Sequence, residues 1–470
     1  MEMTAWIEAL QALLKPDQLT TNPTALEHHS HDESYHAPRL PDVVVYPETT
    51  DDVARILRFA DERRIPIVPF GVGSSLEGHV VPLEGGISLD MTRMNRILEV
   101  RADDFLVRVE AGLTRTALNK ALASYGLFFS VDPGADATLG GMAATNASGT
   151  TAVRYGVMRD QVRGMTVVLA DGRVLHLGGP YVKSSSGYDL KNLFIGSEGT
   201  LGVITELWLR LYGLPEAVAA ARVTFPSVRQ AVEAAHGMLK MNLSLARVEL
   251  VDRTSIRQMN AMKRTAYPEA DTLFLEFHGS PTALEADVRT AEAFVREYGA
   301  ADVHMERDKA ARERLWEARH HLAYAYLHAH PGKKQLVTDV CVPLSALAEG
   351  IETARRELEA RGLEGGVLGH IGDGNFHTIV MIDTDDPHEV ATAEALHEAL
   401  VRYALQNGGT ATGEHGVGIG KVKYQAEEHG LALSVMQDVK RMLDPHNILN
   451  PGKKVPPPGT AHRLTPMSVR

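Results

Sequence analysis

The chain has 470 residues, 44% hydrophobic and 23% charged, the proportions of an ordinary globular protein and too apolar for a disordered one. At about 150 residues per domain, that length predicts two large units or three ordinary ones. A net charge of −12, from 48 basic and 60 acidic side chains, excludes bulk attraction to nucleic acid or anionic lipid. Cys341 is the single cysteine, so no intramolecular disulfide and no cysteine-based zinc or iron–sulfur site is possible. Its place between Val340 and Val342 predicts a small buried hydrophobe. No stretch approaches the roughly 20 apolar residues needed to span a bilayer, and the N-terminus lacks the layout of a secretory signal. A cytoplasmic location is expected, with peripheral membrane association as the alternative.

Trp6, Ile7, Leu10, Leu13 and Leu14 recur at helical spacing and predict a packing helix. Val43 to Tyr46 reads as a strand. A helix then carries Val53, Ile56, Leu57 and Ala60 on one face, with Thr50 and Asp51 as candidate caps. The apolar run Ile65–Phe70 leads into the glycine-rich turn Gly71 to Ser75. Short β runs broken by glycine continue to Leu209, and Gly213 to Glu216 reads as a linker. Beyond it the rhythm changes. Helices over 227–240, 282–298, 307–330, 345–360 and 388–406 alternate with strands over 245–251, 273–278, 336–342, 367–368 and 378–382. That alternation predicts an α+β sheet with helices on one face. An amphipathic helix over about 425–443 and a proline-rich, loosely ordered end close the chain.

Gly71-Val72-Gly73-Ser74-Ser75 follows a strand, where glycines let backbone amides approach phosphate oxygens. A nicotinamide-type fingerprint needs a third glycine and an immediate helix. Leu76 and the non-helical stretch to Pro82 supply neither. The loop is joined by two further runs of small residues, Pro133 to Gly149 and Gly196 to Gly202. Together they predict backbone lining a large flat ligand rather than ordinary turns.

The second half carries Gly369-His370-Ile371-Gly372-Asp373-Gly374-Asn375-Phe376-His377. A four-residue loop over 372–375 would pair Ile371 with Phe376 and set His370 opposite His377. Two imidazoles on one face can bind one divalent cation, given a carboxylate. Gly413-Glu414-His415-Gly416 offers that acid and a third histidine. His28, His29, His31 and His36 read instead as a solvated loop. Gly420-Lys421 lacks the rest of a phosphate-binding loop.

These residues identify a resemblance. Pro69-Phe70-Gly71, Val131 to Asp136, Arg154-Tyr155-Gly156, Gly196 to Gly202, Phe274 to Gly279, the histidine hairpin, Gly413 to Gly416 and Leu449 to Lys453 occur in one order. The chain resembles the FAD-linked 2-hydroxy-acid dehydrogenases of the vanillyl-alcohol-oxidase superfamily. Within it, the similarity is greatest to the branch of cytochrome-type D-lactate dehydrogenases and glycolate oxidase flavin subunits.

The resemblance implies an α+β fold: a two-subdomain PCMH-type FAD-binding domain over 1–216, and a cap domain over 217–424 with an antiparallel sheet covered by helices. A segment over 425–456 returns to the first domain, and 457–470 is a tail. It implies that Gly71, Val72, Gly73, Ser74, Ser75 and Leu76 hold the pyrophosphate of FAD. Pro133, Gly134, Thr138, Gly141, Asn146 and Ser148 line the cofactor, Glu198, Val203 and Ile204 edge it, and Asn450 approaches its ring. His79 does not stand where relatives link FAD covalently, so non-covalent FAD is expected. His370, His377 and Glu414 match the family's ligands for a divalent metal, whether zinc, manganese or iron. His415 matches the catalytic base and Arg319 the arginine that grips the substrate carboxylate. Val337 stands where 2-hydroxyglutarate dehydrogenases carry a lysine, which favours a monocarboxylate.

The implied reaction takes a D-2-hydroxy acid, D-lactate before glycolate or D-2-hydroxyglutarate, to the 2-oxo acid. The electrons go to an acceptor that the sequence does not name: a cytochrome, a quinone, another flavoprotein or oxygen. Two other classes stand as alternatives. A flavin-dependent alkyl transferase of the same superfamily does not call for the histidine hairpin and Glu414-His415. A metal-dependent hydrolase leaves the small-residue runs unexplained.

Overall fold

The computed structural model describes residues 3–457, so the expected tail lies outside the described residues except for Pro457. The chain divides into two units. The first comprises the chain up to Ala147, Val157–Gly213 and the chain from Glu414 onward; the second comprises Ser148–Gly156 and Leu214–Gly413. The return to the first unit thus begins at Glu414, where the sequence reading set it at 425. No helix among the described residues is long and apolar enough to cross a membrane.

The first unit is built on two sheets. In the smaller, Val43–Val45, Ile87–Asp90 and Ile67–Phe70 run parallel, and Leu19–Thr20 pairs antiparallel at the edge. The helix Thr50–Arg63 packs on it through Val53, Ile56, Leu57 and Ala60, of which the three larger side chains are each worth about 1.5–3 kcal/mol when fully buried. Its cap is Thr49, one residue before the expected pair. The Thr49 hydroxyl accepts the Asp52 amide, and the Asp52 carboxylate accepts the Thr49 amide, closing a capping box. The larger sheet is antiparallel, in the order Ile97–Arg101, Leu106–Glu110, Val203–Arg210, Val162–Val168, Val174–Gly178.

Each sheet has its own core. The returning segment completes the smaller one. Ile448 and Leu449 are buried in that core, and the Ile67 strand exchanges backbone hydrogen bonds with Ile448 and Asn450. The single helix expected over 425–443 is two, Gln425–His429 and Ala432–Leu443, because Gly430 adopts a positive φ between them. His29 departs from the expected solvated loop. It is buried and bridges the Ala25 carbonyl (2.7 Å) and Asp90 (2.9 Å).

The second unit holds one antiparallel sheet in the order Asp302–Glu306, Ala217–Phe225, Asp271–Gly279, Leu245–Val251, Gly365–His370, Asn375–Ile382, Lys334–Val337. Val340–Cys341 also pairs with Asn375–Ile382, so the run expected as one strand over 336–342 is broken at Thr338–Asp339. Cys341 is half-buried, its thiol directed at the Asp373 carbonyl, rather than fully buried. Helices lie on both faces, not one. Leu344–Arg361 packs where Gly350 meets Phe376, in a layer with Val228–Lys240, Pro281–Glu297 and Pro387–Gln406. Arg253–Lys263, Lys309–His320 and Leu322–Ala329 cover part of the other face, over Ala220, Val251, Phe274, Leu368 and Ile379.

Candidate functional site

Beyond those three helices the same sheet face turns polar. Side chains on a strand alternate between faces, so the residue two along from each core position shares its side. Glu249 follows Val251 in this way, Glu276 follows Phe274, His370 follows Leu368 and His377 follows Ile379. All four are buried. The hairpin register places Gly369 opposite Phe376 and His370 opposite Asn375. His370 and His377 are therefore diagonal neighbours rather than directly opposed, because the loop closes over 371–374. A two-residue offset in pairing preserves the face. The two rings share it with centroids 5.3 Å apart, nearly perpendicular at 83°.

Both rings are oriented from behind. His370 Nδ1 lies 2.7 Å from Glu249 Oε1, and His377 Nδ1 lies 3.2 Å from the Thr338 carbonyl. Those oxygens only accept, so each Nδ1 carries the proton. Asp339 stands 3.6 Å from His377, and its carboxylate accepts the Asn375 amide and the Thr412 hydroxyl. Gly413 closes against this group. A Cβ there would fall 2.0 Å from Asn375 Nδ2 and 2.9 Å from Asp339 Oδ1.

Arg319 sits in the last turn of Lys309–His320, its side chain 8% exposed. Its Nη2 donates to Glu249 Oε2 at 2.7 Å. Its Nε is buried with no acceptor among the described residues. Glu249 thus links the arginine to the hairpin. A second acid, Glu276, links Arg247 (3.4 Å) and His278 Nε2 (2.8 Å), and His278 Nδ1 meets the Tyr155 hydroxyl at 2.8 Å.

The first unit gathers all but one of the residues expected to line a cofactor. Gly71 to Leu76 follow their strand without a helix. Thr138 caps Leu139–Thr145 and packs so close to Gly71 that a Cβ there would fall 2.5 Å from its hydroxyl. Gly134 opens on space, with nothing within 4 Å of a Cβ, and Gly141 meets only the Thr138 hydroxyl. Asn146 holds a positive φ, accepts the Arg159 amide and borders Gly196. Pro133 is half-buried beside the open Gly134. Val203 and Ile204 direct their side chains into the two cores. Ser148 falls in the second unit, as do Arg319, His370 and His377, whereas Glu414 and His415 open the last stretch of the first.

Glu198 and Asn450 do more for the returning segment than their expected places suggest. The Glu198 carboxylate accepts the Val417 and Gly418 amides and pairs with Lys454 (3.1 Å) and His79 (3.2 Å). Burial works to raise its pKa, yet Lys454, His79 and the Val417 amide hold it well below the usual carboxylate range. The Asn450 side chain donates to the His79 and Glu198 carbonyls and accepts from Lys453. Lys453 also reaches the Val81 carbonyl at 2.6 Å, and burial pushes its ammonium down to about 7.

Sequence reasoning missed Glu249, Asp339 and Lys453. The signal for Glu249 was present: Arg247 and Glu249 interrupt one face of an otherwise apolar strand.

Comparison with known proteins agrees with this architecture. Residues 41–178 match the FAD binding domain family and residues 214–454 the C-terminal domain of FAD linked oxidases. The chain is 44% identical over 451 residues to the probable mitochondrial D-lactate dehydrogenase of Danio rerio, covering 95% of this chain and 91% of the relative. It is 41% identical over 453 residues to the mitochondrial D-lactate dehydrogenase (cytochrome) of Arabidopsis thaliana, covering 96% and 80%. The solved structure of p-cresol methylhydroxylase with substrate bound superposes with a TM-score of 0.82 at 17% identity, covering 98% of each chain. That last likeness concerns the fold alone.

Proposed function

Since the chain belongs to the FAD-linked oxidases, in the family of the D-lactate dehydrogenases, we propose that it oxidises a D-2-hydroxy acid, D-lactate first, to the 2-oxo acid. The observation that carries this reading is Arg319. A buried guanidinium with one arm held by Glu249 and its Nε lacking an acceptor is a ready receptor for a small carboxylate. Val337, beside Ile379 on the neighbouring strand, supplies no second cation, which favours a monocarboxylate over 2-hydroxyglutarate.

FAD, when bound along Gly71 to Leu76, Pro133 to Ser148, Glu198 to Ile204 and Asn450, supplies an acceptor for the α-hydrogen as hydride. The open space at Gly134 fits such a ligand, and the FAD is assigned as non-covalent. A divalent cation, zinc, manganese or iron, supplies a Lewis acid that lowers the pKa of the substrate hydroxyl. His370 and His377 fit it, since both keep the proton on Nδ1 and so turn the Nε2 lone pair to a ligand. Glu414, joined directly to the Gly413 that rests on Asn375 and Asp339, is assigned as the acid of the set.

The protein's own groups do the rest. Arg319 binds the carboxylate and fixes the orientation of the α-carbon. His415 takes the hydroxyl proton on a ring nitrogen. The electrons pass to an external acceptor, a cytochrome in the name of the Arabidopsis relative. Anaerobic mixing with D-lactate, L-lactate, glycolate and D-2-hydroxyglutarate tests the reading. D-lactate is expected to bleach the flavin fastest; no bleaching by any of the four would overturn it.

A further inference from the structure

We propose that Glu249 is a positioning residue that holds His370 and Arg319 at one fixed spacing, setting the cation and the substrate carboxylate in register before substrate arrives. The inference rests on the function proposed above and adds to it a residue that touches neither substrate nor cofactor.

Glu249 stands mid-strand in Leu245–Val251, directly opposite His370 on the neighbouring strand, and it is fully buried. Directly opposed residues hold their Cβ atoms about 5 Å apart, so the acid meets His370 without a long reach. One carboxylate oxygen takes the Nδ1 proton of His370 and the other takes Nη2 of Arg319, each at 2.7 Å. The first contact selects the tautomer whose lone pair lies on Nε2, the form a cation needs. The second fixes the guanidinium of a side chain that otherwise has several rotatable bonds. Because the two oxygens belong to one rigid planar group, the ring and the guanidinium cannot shift independently.

Stability alone does not account for the arrangement. Well-packed apolar residues of similar volume serve a core at least as well as a buried ion pair in many cases. The neighbouring hub shows the contrast. Glu276 also joins an arginine and a histidine, but His278 is engaged at Nε2 by Glu276 and at Nδ1 by Tyr155. Both its ring nitrogens are occupied, so that hub has no imidazole nitrogen to offer a cation.

Glu249→Gln separates the roles. A glutamine has the same shape but one acceptor oxygen, so it can serve His370 or Arg319 and must turn its amide N–H group toward the other. The FAD-loaded enzyme, stripped with a chelator, is titrated calorimetrically with Zn²⁺ and with Mn²⁺, and the KM for D-lactate is measured at saturating metal. The variant is expected to keep its flavin, to bind metal about 10- to 100-fold more weakly and to show a raised KM. Native metal affinity and native KM, with or without a lowered melting temperature, would overturn the proposal. Wild-type protein that takes up no metal would overturn the metal assignment itself, and this proposal with it. If Glu249→Gln does not fold, Glu249→Asp keeps the charge but is one methylene too short to span both partners. It is expected to lose metal affinity or to raise KM, and native values of both count against the role.

Discussion

Glu249 and His370 face each other across two antiparallel strands, with Oε1 of the acid 2.7 Å from Nδ1 of the ring. That pairing depends on the hairpin register. With Gly369 opposite Phe376, His370 ends its strand beside Glu249 on one side and lies diagonal to His377 on the other. A slip of one residue would turn one histidine to the far face, where Phe376 packs under Gly350. The face on which the imidazoles meet is thus fixed by the apolar residues that alternate with them.

Arg319→Lys is expected to raise the KM for D-lactate about 10- to 100-fold, in line with the roughly 1.5–3 kcal/mol of a hydrogen bond to a charged group. Lysine keeps the charge but loses the planar fork and the Nε donor. Steady-state kinetics over a wide substrate range checks this, and an unchanged KM would remove Arg319 from the carboxylate site.

Much of the second unit was legible in its sequence. The strand over 245–251 and the helices over 227–240, 345–360 and 388–406 are found within a residue or two, because their apolar residues repeat cleanly at the periods of strand and helix. The histidine hairpin was legible through its glycines, but its register was not. Either loop placement keeps His370 and His377 on one face, so the hydrophobic pattern could not choose between them. The helix Arg253–Lys263 was missed, and so was the placement of the 307–330 helical segment on the second face, because Ile256, Met259, Leu315 and Ala325 cover only part of that face and leave a half-polar surface that reads as solvent-facing. Glu249 left a trace in its strand, but its partner His370 lies 121 positions away. Asp339 and Lys453 left none, and they bond groups 36 and 372 positions away, beyond the reach of any local pattern.

His415→Gln is expected to retain FAD and lose turnover by about 10²- to 10⁴-fold, the usual worth of a positioned general base. Glutamine preserves size and polarity but cannot accept a proton near neutral pH. Rapid-reaction measurement of flavin bleaching isolates the chemical step. A near-normal rate would assign the proton to another group.

Removal of metal by a strong chelator is expected to abolish turnover without loss of flavin absorbance, and Zn²⁺ or Mn²⁺ should restore it. His377→Ala removes one of the two rings and should abolish the restoration. Full activity of the metal-stripped protein would count against the hairpin as a ligand set. Loss of flavin in parallel with metal would instead indicate general unfolding.

Lys453 should make stability rise with pH above neutrality. Its ammonium is buried and its pKa is pushed down to about 7 by that burial, against the opposing pull of Asp32, Glu198 and Glu84. In the unfolded chain a lysine titrates near 10.4. Between those values the unfolded state holds a proton that the folded state lacks. Unfolding then takes up a proton, and this residue's contribution grows by up to about 1.4 kcal/mol per pH unit. Below about 7 both states are protonated and the dependence ends. Lys453→Met loses the hydrogen bonds to Val81 and Asn450, a cost that does not vary with pH, and it loses the titration as well. The gap in urea midpoint between wild type and Lys453→Met should therefore widen from pH 7.5 to pH 9.5. A gap that stays constant would show that the folded protein keeps this lysine charged throughout, and that its three donors hold the returning segment as an ammonium.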